Sequence, residues 1–290
     1  MDVARSDQID DRSRQEWTRV APAWRKWSRQ YAIQTRAATD VIIKSARVRR
    51  GMWVIDIASG TGEPSLTLAD QVGPEGHVVA TDFTPEMLKV AADRAKASGT
   101  NNITFQHASA QHLPFDSASF DAVTCRFGLG YVSDLASALK EARRVLRPGG
   151  RAAFVAWGPP AQNPLFTTTI GVLMKYAVVR PPDPASPSPF RFGYVGVNHG
   201  ESGTISRALM DAGFNGVMER CLTVQWPWPG RVEEAWQYFR EASPFHWMVD
   251  RLTEEDQTRA VAEVLAAMAQ YYNGRQVFFP TVILVATGDR

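Results

Sequence analysis

The sequence predicts an α/β protein: a mostly parallel, seven-stranded sheet with helices on both faces, extended by N-terminal helices and a helical cap. Three observations carry this reading. Short apolar runs alternate with helical segments from Met52 to Trp157. A glycine turn, Ser59-Gly60-Thr61-Gly62, separates the first run from the helix that follows it. Aspartates stand at the ends of the first two runs, at Asp56 and Asp82. Strand–helix repeats of this length need right-handed crossovers, which put helices on both faces of a parallel sheet.

The elements follow in order. Residues 1–45 read as a helical arm, with Trp17, Val20, Trp24, Trp27 and Tyr31 recurring at three- and four-residue steps on one face. Met52–Ile57 is a buried strand, and Pro64 is expected at the first position of the next helix, which runs to about Val72. His77–Asp82 is the second strand; Thr84 is the expected N-cap of the helix after it. Ile103–His107 and Phe120–Cys125 are the third and fourth strands. A helix over Asp134–Leu146 is stopped by Pro148-Gly149-Gly150, and Arg151–Trp157 is the fifth strand. Residues 46–158 thus form the core of the sheet.

The second half is less regular. Residues 159–204 read as a cap insertion, with five prolines between Pro181 and Pro189 making an extended loop. Glu201–Ala212 is helical. Val217–Trp226 and Val277–Ala286 are the last strands, so residues 205–226 and 276–290 return to the core. Residues 227–275 form a second, helical cap insertion with helices at Val232–Ala242 and Glu254–Tyr271.

Composition narrows the class. With 44% hydrophobic and 21% charged residues, the chain is that of an ordinary globular protein. The net charge of +2 announces no nucleic-acid partner, although residues 1–50 hold 12 Lys/Arg against 6 Asp/Glu. Cys125 and Cys221 cannot build a disulfide scaffold or a zinc site, and both are expected as buried thiols in a reducing, cytoplasmic setting. No signal peptide or membrane-spanning run is seen.

In open parallel sheets, ligands sit beyond the carboxyl ends of the strands where strand order reverses. That rule selects the loops after Ile57, Asp82, His107 and Cys125. Between the first strand and helix, glycine lets the backbone approach a ligand closely. A dinucleotide needs a third glycine, but Glu63, Pro64 and Ser65 follow Gly62, and Glu63 would repel a phosphate. S-adenosylmethionine has no phosphate and carries an ammonium and a sulfonium, so Asp56 and Glu63 favour it. Asp82 is placed to accept both ribose hydroxyls.

Four segments then resemble the class I S-adenosylmethionine-dependent methyltransferases, in the group of the ubiquinone/menaquinone C-methyltransferases. They are Asp56–Glu63, Thr81–Leu88, Ala108–Phe115 with Ser119-Phe120-Asp121, and Arg126–Leu129 with Arg144–Gly150. The resemblance covers residues 45–157 and implies the Rossmann-like class I methyltransferase fold. It implies that Ala58, Ser59, Gly60 and Gly62 line the methionine end and that Phe83 and Met87 flank the adenine. Ser109, Ala110 and Gln111 would reach the adenine side. Arg126 and Phe127 would face the methionine and the acceptor, with Tyr31 or Trp27 closing over the cofactor. Two departures stand out: Ala58 replaces the usual glycine, and Ser109 replaces an acid.

The expected reaction is methyl transfer to a small apolar or aromatic metabolite, quinone-like or of secondary metabolism, by C- or O-methylation. S-adenosylhomocysteine would be the product. A general base is needed only if the nucleophile arrives protonated; His199 and His246, one in each cap insertion, are the candidates. A dense aromatic group in the cap, among it Trp226, Trp228, Trp236, Tyr238 and Phe239, suggests an apolar pocket. Two other readings stand beside this one: an RNA or protein methyltransferase using the basic arm, and a non-catalytic S-adenosylmethionine-binding protein. An aromatic N-terminal helix would also suit a homodimer contact.

Overall fold

A computed structural model describes residues 3–176, 202–243 and 247–290, and only the backbone of residues 3–10, 12 and 229. The five-proline segment and His199 and His246 lie outside the described residues.

The strands are β1 (Trp53–Ile57), β2 (His77–Asp82), β3 (Ile103–His107), β4 (Phe120–Arg126), β5 (Leu146–Trp157), β6 (Asn215–Pro229) and β7 (Gln276–Asp289). They form one sheet in the order β3-β2-β1-β4-β5-β7-β6. All neighbours are parallel except β7, which runs antiparallel to both β5 and β6. Strand order reverses between β1 and β4, so the crevice falls beyond Ile57 and Arg126.

The period of two along each strand sorts side chains into two cores. Ile55, Val79, Val123 and Phe154 pack on one face with Leu139 and Leu209. Those two leucines come from helices α5 (Leu135–Val145) and α8 (Thr204–Asp211). Val54, Val78, Ala122 and Ala153 take the other face with Ile42 and Leu68, from α2 (Arg36–Ser45) and α3 (Ser65–Val72). Helix α4 (Pro85–Ser98) joins β2 to β3 and is packed by α1 (Val3–Gln34). Two short helices, α6 (Pro164–Thr168) and α7 (Ile170–Leu173), follow β5. Between β6 and β7 lie α9 (Val232–Ala242), α10 (Trp247–Asp250) and α11 (Glu254–Ala269).

Several local expectations shift. Pro64 occupies the N-cap of α3, one residue before its expected place. Thr84 stands at the N-cap of α4, but its hydroxyl makes no capping bond. Instead, Asp82 Oδ1 accepts from the Thr84 N–H at 2.9 Å. Asp134 does cap α5, accepting from the Ser137 N–H at 3.1 Å. Cys125 is buried in central β4, whereas Cys221 is exposed because β6 is an edge strand with little packed over that stretch.

The largest surprise is the length of the last two strands. β6 and β7 pair from Asn215↔Asp289 to Pro229↔Gln276, but β5 covers β7 only from Ile283 onwards. The far half therefore projects past the sheet as a two-stranded ribbon. Periodicity could not reveal this, because a strand's end is set by whether a partner continues beside it. The ribbon carries Trp226 and Trp228 over the crevice.

Phe154 is fully buried at the centre of β5. Phe154→Ala should cost about 3–5 kcal/mol, read as a lower denaturant midpoint with an unchanged slope.

Candidate functional site

A cavity of about 210 Å³ opens at the reversal of strand order. Its floor is the turn after β1, with Ala58, Ser59, Gly60, Thr61 and Glu63 on the wall. Asp82, Phe83 and Met87 close one end, and Ser109, Ala110 and Gln111 lie beside them. Arg126 and Phe127, at the end of β4, form the middle.

The turn is held from below by Asp82. Its Oδ2 accepts from the Gly60 N–H at 2.8 Å while Oδ1 takes the Thr84 N–H. Burial raises the Asp82 pKa, and these backbone donors oppose the rise. Each carboxylate oxygen retains a further lone pair for a ligand. Gly60 has a φ of +55°, and a Cβ built on it would meet nothing within 4 Å, so its backbone stands open to the cavity.

Ala58 explains one departure from the family pattern. Its φ is 55°, in the left-handed region that a residue with a Cβ rarely adopts. A Cβ placed on Gly128 would lie 2.4 Å from the Ala58 Cβ and 2.8 Å from Cys125 Sγ. Ala58 thus fits because residue 128 has no side chain. Phe127, just before it, is also left-handed, with a φ of 63°. Strained backbone concentrates where both loops meet the cavity.

Asp56 and Gly62 do not reach the cavity wall. Asp56 is 0% exposed behind the turn. It accepts from Ser65 Oγ at 2.5 Å and Thr124 Oγ1 at 2.7 Å. It therefore fastens the turn rather than facing a ligand directly. Burial pushes its pKa up to about 6, against the pull of those two hydroxyls. Gly62 faces helix α4, where a Cβ would come within 3.2 Å of Ala91. Glu63 is engaged too, accepting from Arg94 at 3.1 Å and Thr67 at 2.9 Å.

Ser109 Oγ accepts from the Gln111 N–H at 3.2 Å. Gln111 Oε1 accepts from Ser133 Oγ at 2.9 Å and the Asp134 N–H at 2.5 Å, tying the third and fourth loops together.

The N-terminal helix supplies one wall. Trp17, Trp24 and Tyr31 form a chain of edge-to-face rings with centroids 5.6 and 4.4 Å apart, and Trp17 meets Tyr131 at 5.0 Å. All four line the cavity. Trp27 does not; it donates to Glu241 at 2.6 Å and packs on Tyr238. The aromatic face that suited a neighbouring subunit is thus used within the chain. Several cations of the arm are paired with acids, as in Arg25–Asp93 at 2.7 Å and Lys26–Glu241 at 2.7 Å.

The remaining wall is aromatic. Phe127 stacks on Trp157 at 4.3 Å, and Trp226 lies edge-on to both at 5.6 and 5.0 Å. Phe166, Trp228, Tyr238 and Phe239 complete it. Gln34, 3% exposed, is its polar anchor. With the Gln34 amide turned so that its oxygen faces the indoles, Oε1 accepts from the N–H groups of Trp226, at 3.0 Å, and Trp228, and Nε2 donates to the Tyr238 hydroxyl at 3.2 Å. The sequence signalled Trp226, Trp228, Tyr238 and Phe239 as a dense aromatic group. It gave no such signal for Tyr131, Trp157, Phe166 or Gln34, which are far apart in the chain. No histidine is among the described lining residues.

Residues 32–175 match the model of the ubiE/COQ5 methyltransferase family. The chain is 42% identical over 118 residues to a demethylmenaquinone methyltransferase of Listeria welshimeri, covering 41% of this chain and 50% of the relative. It is 42% identical over 124 residues to the ubiquinone/menaquinone biosynthesis C-methyltransferase UbiE of Idiomarina loihiensis, covering 42% and 49%. The chain spans about half the length of the curated relatives it matches. The YcgJ protein of Bacillus subtilis shares the fold at a TM-score of 0.55 and 22% identity, over 88% of this chain and 98% of that one. The [4+2]-cyclase SpnF shares it at 0.53 and 20%, over 88% and 80%. The resemblance to S-adenosylmethionine-dependent methyltransferases thus holds over the sheet's core, and their Rossmann-like fold extends over most of the chain.

Two outcomes are expected. Gly128→Ala should cost about 1–3 kcal/mol by overpacking, and adding Ala58→Gly should recover part of the loss in a double-mutant cycle. For Asp56, the folded pKa of about 6 lies above the ordinary 3.8, so its stabilising contribution is present in acid and fades as pH rises through about 6. Between pH 4 and pH 7 the wild type should lose about 2 kcal/mol of stability relative to Asp56→Asn, measured by urea unfolding.

Proposed function

We propose that this chain, matched over residues 32–175 to the ubiE/COQ5 methyltransferase family, is an S-adenosylmethionine-dependent methyltransferase acting on a small apolar or aromatic acceptor. One observation carries the reading: a single cavity joins the glycine turn and the Asp82 carboxylate to a wall of stacked aromatic rings. The first half suits a polar cofactor and the second an apolar acceptor.

The residues present fit the cofactor. Gly60 leaves its backbone open, and the buried hydroxyls of Ser59 and Thr61 have no partner among the described residues. Buried polar groups of this kind are normally satisfied. Asp82 would take the ribose hydroxyls, Phe83 and Met87 would pack on the adenine, and Ser109, Ala110 and Gln111 would border it. Ala58, Ser59, Gly60 and Thr61 would line the methionine end, under Tyr31. When bound, the cofactor supplies an electrophilic methyl on a sulfonium. The chain's own task is to align a nucleophile with that methyl and keep water out. The rings of Trp17, Trp24, Tyr31, Phe127 and Trp157 serve the second purpose.

The names of the Listeria and Idiomarina relatives favour a quinone-like acceptor and C-methylation. A role in secondary metabolism and a cytoplasmic setting belong to the same proposal. No helix of the described residues is long and apolar enough to cross a membrane. The likeness to a cyclase supports a second reading, in which the fold serves a reaction other than methyl transfer. The ion pairs of Arg25 and Lys26 leave fewer free cations on the arm for an RNA substrate.

Calorimetric titration with S-adenosylhomocysteine tests the reading, with NADH as control. The wild type should bind with micromolar affinity, and Asp82→Ala and Asp82→Asn should bind at least about tenfold more weakly. An unaffected Asp82→Asn, or no binding to the wild type, would refute the cofactor assignment.

A further inference from the structure

Arg126 is the cavity residue whose chemistry the proposed function leaves unused. It sits at the carboxyl end of β4, between the glycine turn and the aromatic wall. It is 4% exposed. Its Nη1 donates to the Thr39 hydroxyl at 2.9 Å and weakly to the Thr35 carbonyl at 3.4 Å. Its Nη2 donates to the Glu63 carbonyl at 2.7 Å. The Tyr31 ring lies against the guanidinium, 5.2 Å from its carbon.

Two features are unusual. First, no carboxylate lies within ion-pair distance among the described residues; Glu63 turns its carboxylate to Arg94 instead. A buried charge without a counter-ion is costly and is normally paired. Second, the Nε–H is buried and has no acceptor among the described residues. A guanidinium carries five N–H donors in a rigid fork suited to anionic oxygens. Among the described residues, the Nε–H and one Nη2–H remain unfilled.

Among the described residues, the carboxylates around Arg126 are already committed: Asp56, whose charge also acts on the guanidinium, is held behind the turn by Ser65 and Thr124. Asp82 and Glu63 are already engaged by backbone N–H groups and by Arg94 and Thr67. Burial raises the pKa values of Tyr31, Tyr131 and Tyr238, so their phenols stay neutral. An acceptor that enters already ionised removes the need for a base and supplies the missing charge.

We infer that Arg126 selects the acceptor: its unfilled N–H edge receives an anionic oxygen of a planar aromatic ring, a phenolate or enolate, held against the Phe127–Trp157 wall. This rests on the methyltransferase reading for the acceptor's fate, but the binding claim can be tested without turnover.

The probes are 4-nitrophenol, whose phenolate absorbs in the visible, and 4-nitroanisole, its neutral methyl ether. Each is titrated into the wild type with and without S-adenosylhomocysteine. The wild type should bind 4-nitrophenol at least about tenfold more tightly than 4-nitroanisole. Binding at mildly acid pH should also raise the phenolate absorbance. Arg126→Met should abolish both effects, and Arg126→Lys, which keeps the charge without the fork, should retain part of them. Equal affinity for the two probes, unchanged absorbance, or no binding of either to the wild type would overturn the inference. So would an Arg126→Met variant that weakens S-adenosylhomocysteine but not 5′-deoxy-5′-methylthioadenosine, since the fork would then belong to the cofactor's carboxylate. Should the wild type fail to bind S-adenosylhomocysteine, the methyltransferase reading falls, while the 4-nitrophenol comparison still decides the role of Arg126. The wild-type comparison needs no variant, so misfolding of Arg126→Met cannot decide the result.

Discussion

The turn after the first strand is the constraint on which the site depends. Its path is fixed from three sides. Asp82 holds the Gly60 N–H from below, and Asp56 ties Ser65 to Thr124 behind it. Gly128 leaves room for the Ala58 Cβ beside it. These partners come from several strands and loops along the carboxyl edge of the sheet, so the turn's path depends on the sheet. In exchange, the open backbone at Gly60 faces a cavity rather than a packed core. The two left-handed residues Ala58 and Phe127 are tolerated because the sheet fixes both loops around them.

The roof of the cavity depends on different physics. The N-terminal helix packs on α4 through Val20, Ala21 and Met87, and on the cap through polar contacts. Trp24 donates to the Ala242 carbonyl at 2.8 Å, and Lys26 and Trp27 converge on Glu241. Gln34 joins that helix to the projecting ribbon by satisfying two indole N–H groups at once. Tryptophan brings a large apolar area, but a buried indole needs an acceptor. One amide serves two of them, so the ribbon, the cap and the arm are held in a single arrangement around the aromatic wall.

Charge is placed sparingly within this enclosure. The carboxylates hold the turn, whereas among the described residues the Arg126 guanidinium donates only to neutral acceptors. An apolar chamber whose cation has no carboxylate within ion-pair distance among the described residues strengthens any interaction with a negative oxygen, because there is little water to screen it. The same chamber keeps the phenols neutral.

Much of the core was legible in the sequence. Alternating apolar runs, the glycine turn, and the acid closing β2 fixed the strand order's ligand edge, because each is a local pattern with a period or spacing of its own. The helix over Val232–Ala242 was read to the residue, since a helical pattern is a local signal. The resemblance over residues 45–157 rests on the same kind of contiguous motif. Tertiary structure alone decided the rest. Asp56 was turned away from the cavity by hydroxyls nine and sixty-eight residues distant. Cys221 was exposed by its place on an edge strand, and Ala58 was admitted by a glycine seventy positions later. Tyr131, Trp157, Phe166 and Gln34 became one wall only when the ribbon ran past the sheet. A sequence records the period of an element, but which side chains meet, and which charge is left without a partner, is fixed only when distant segments pack.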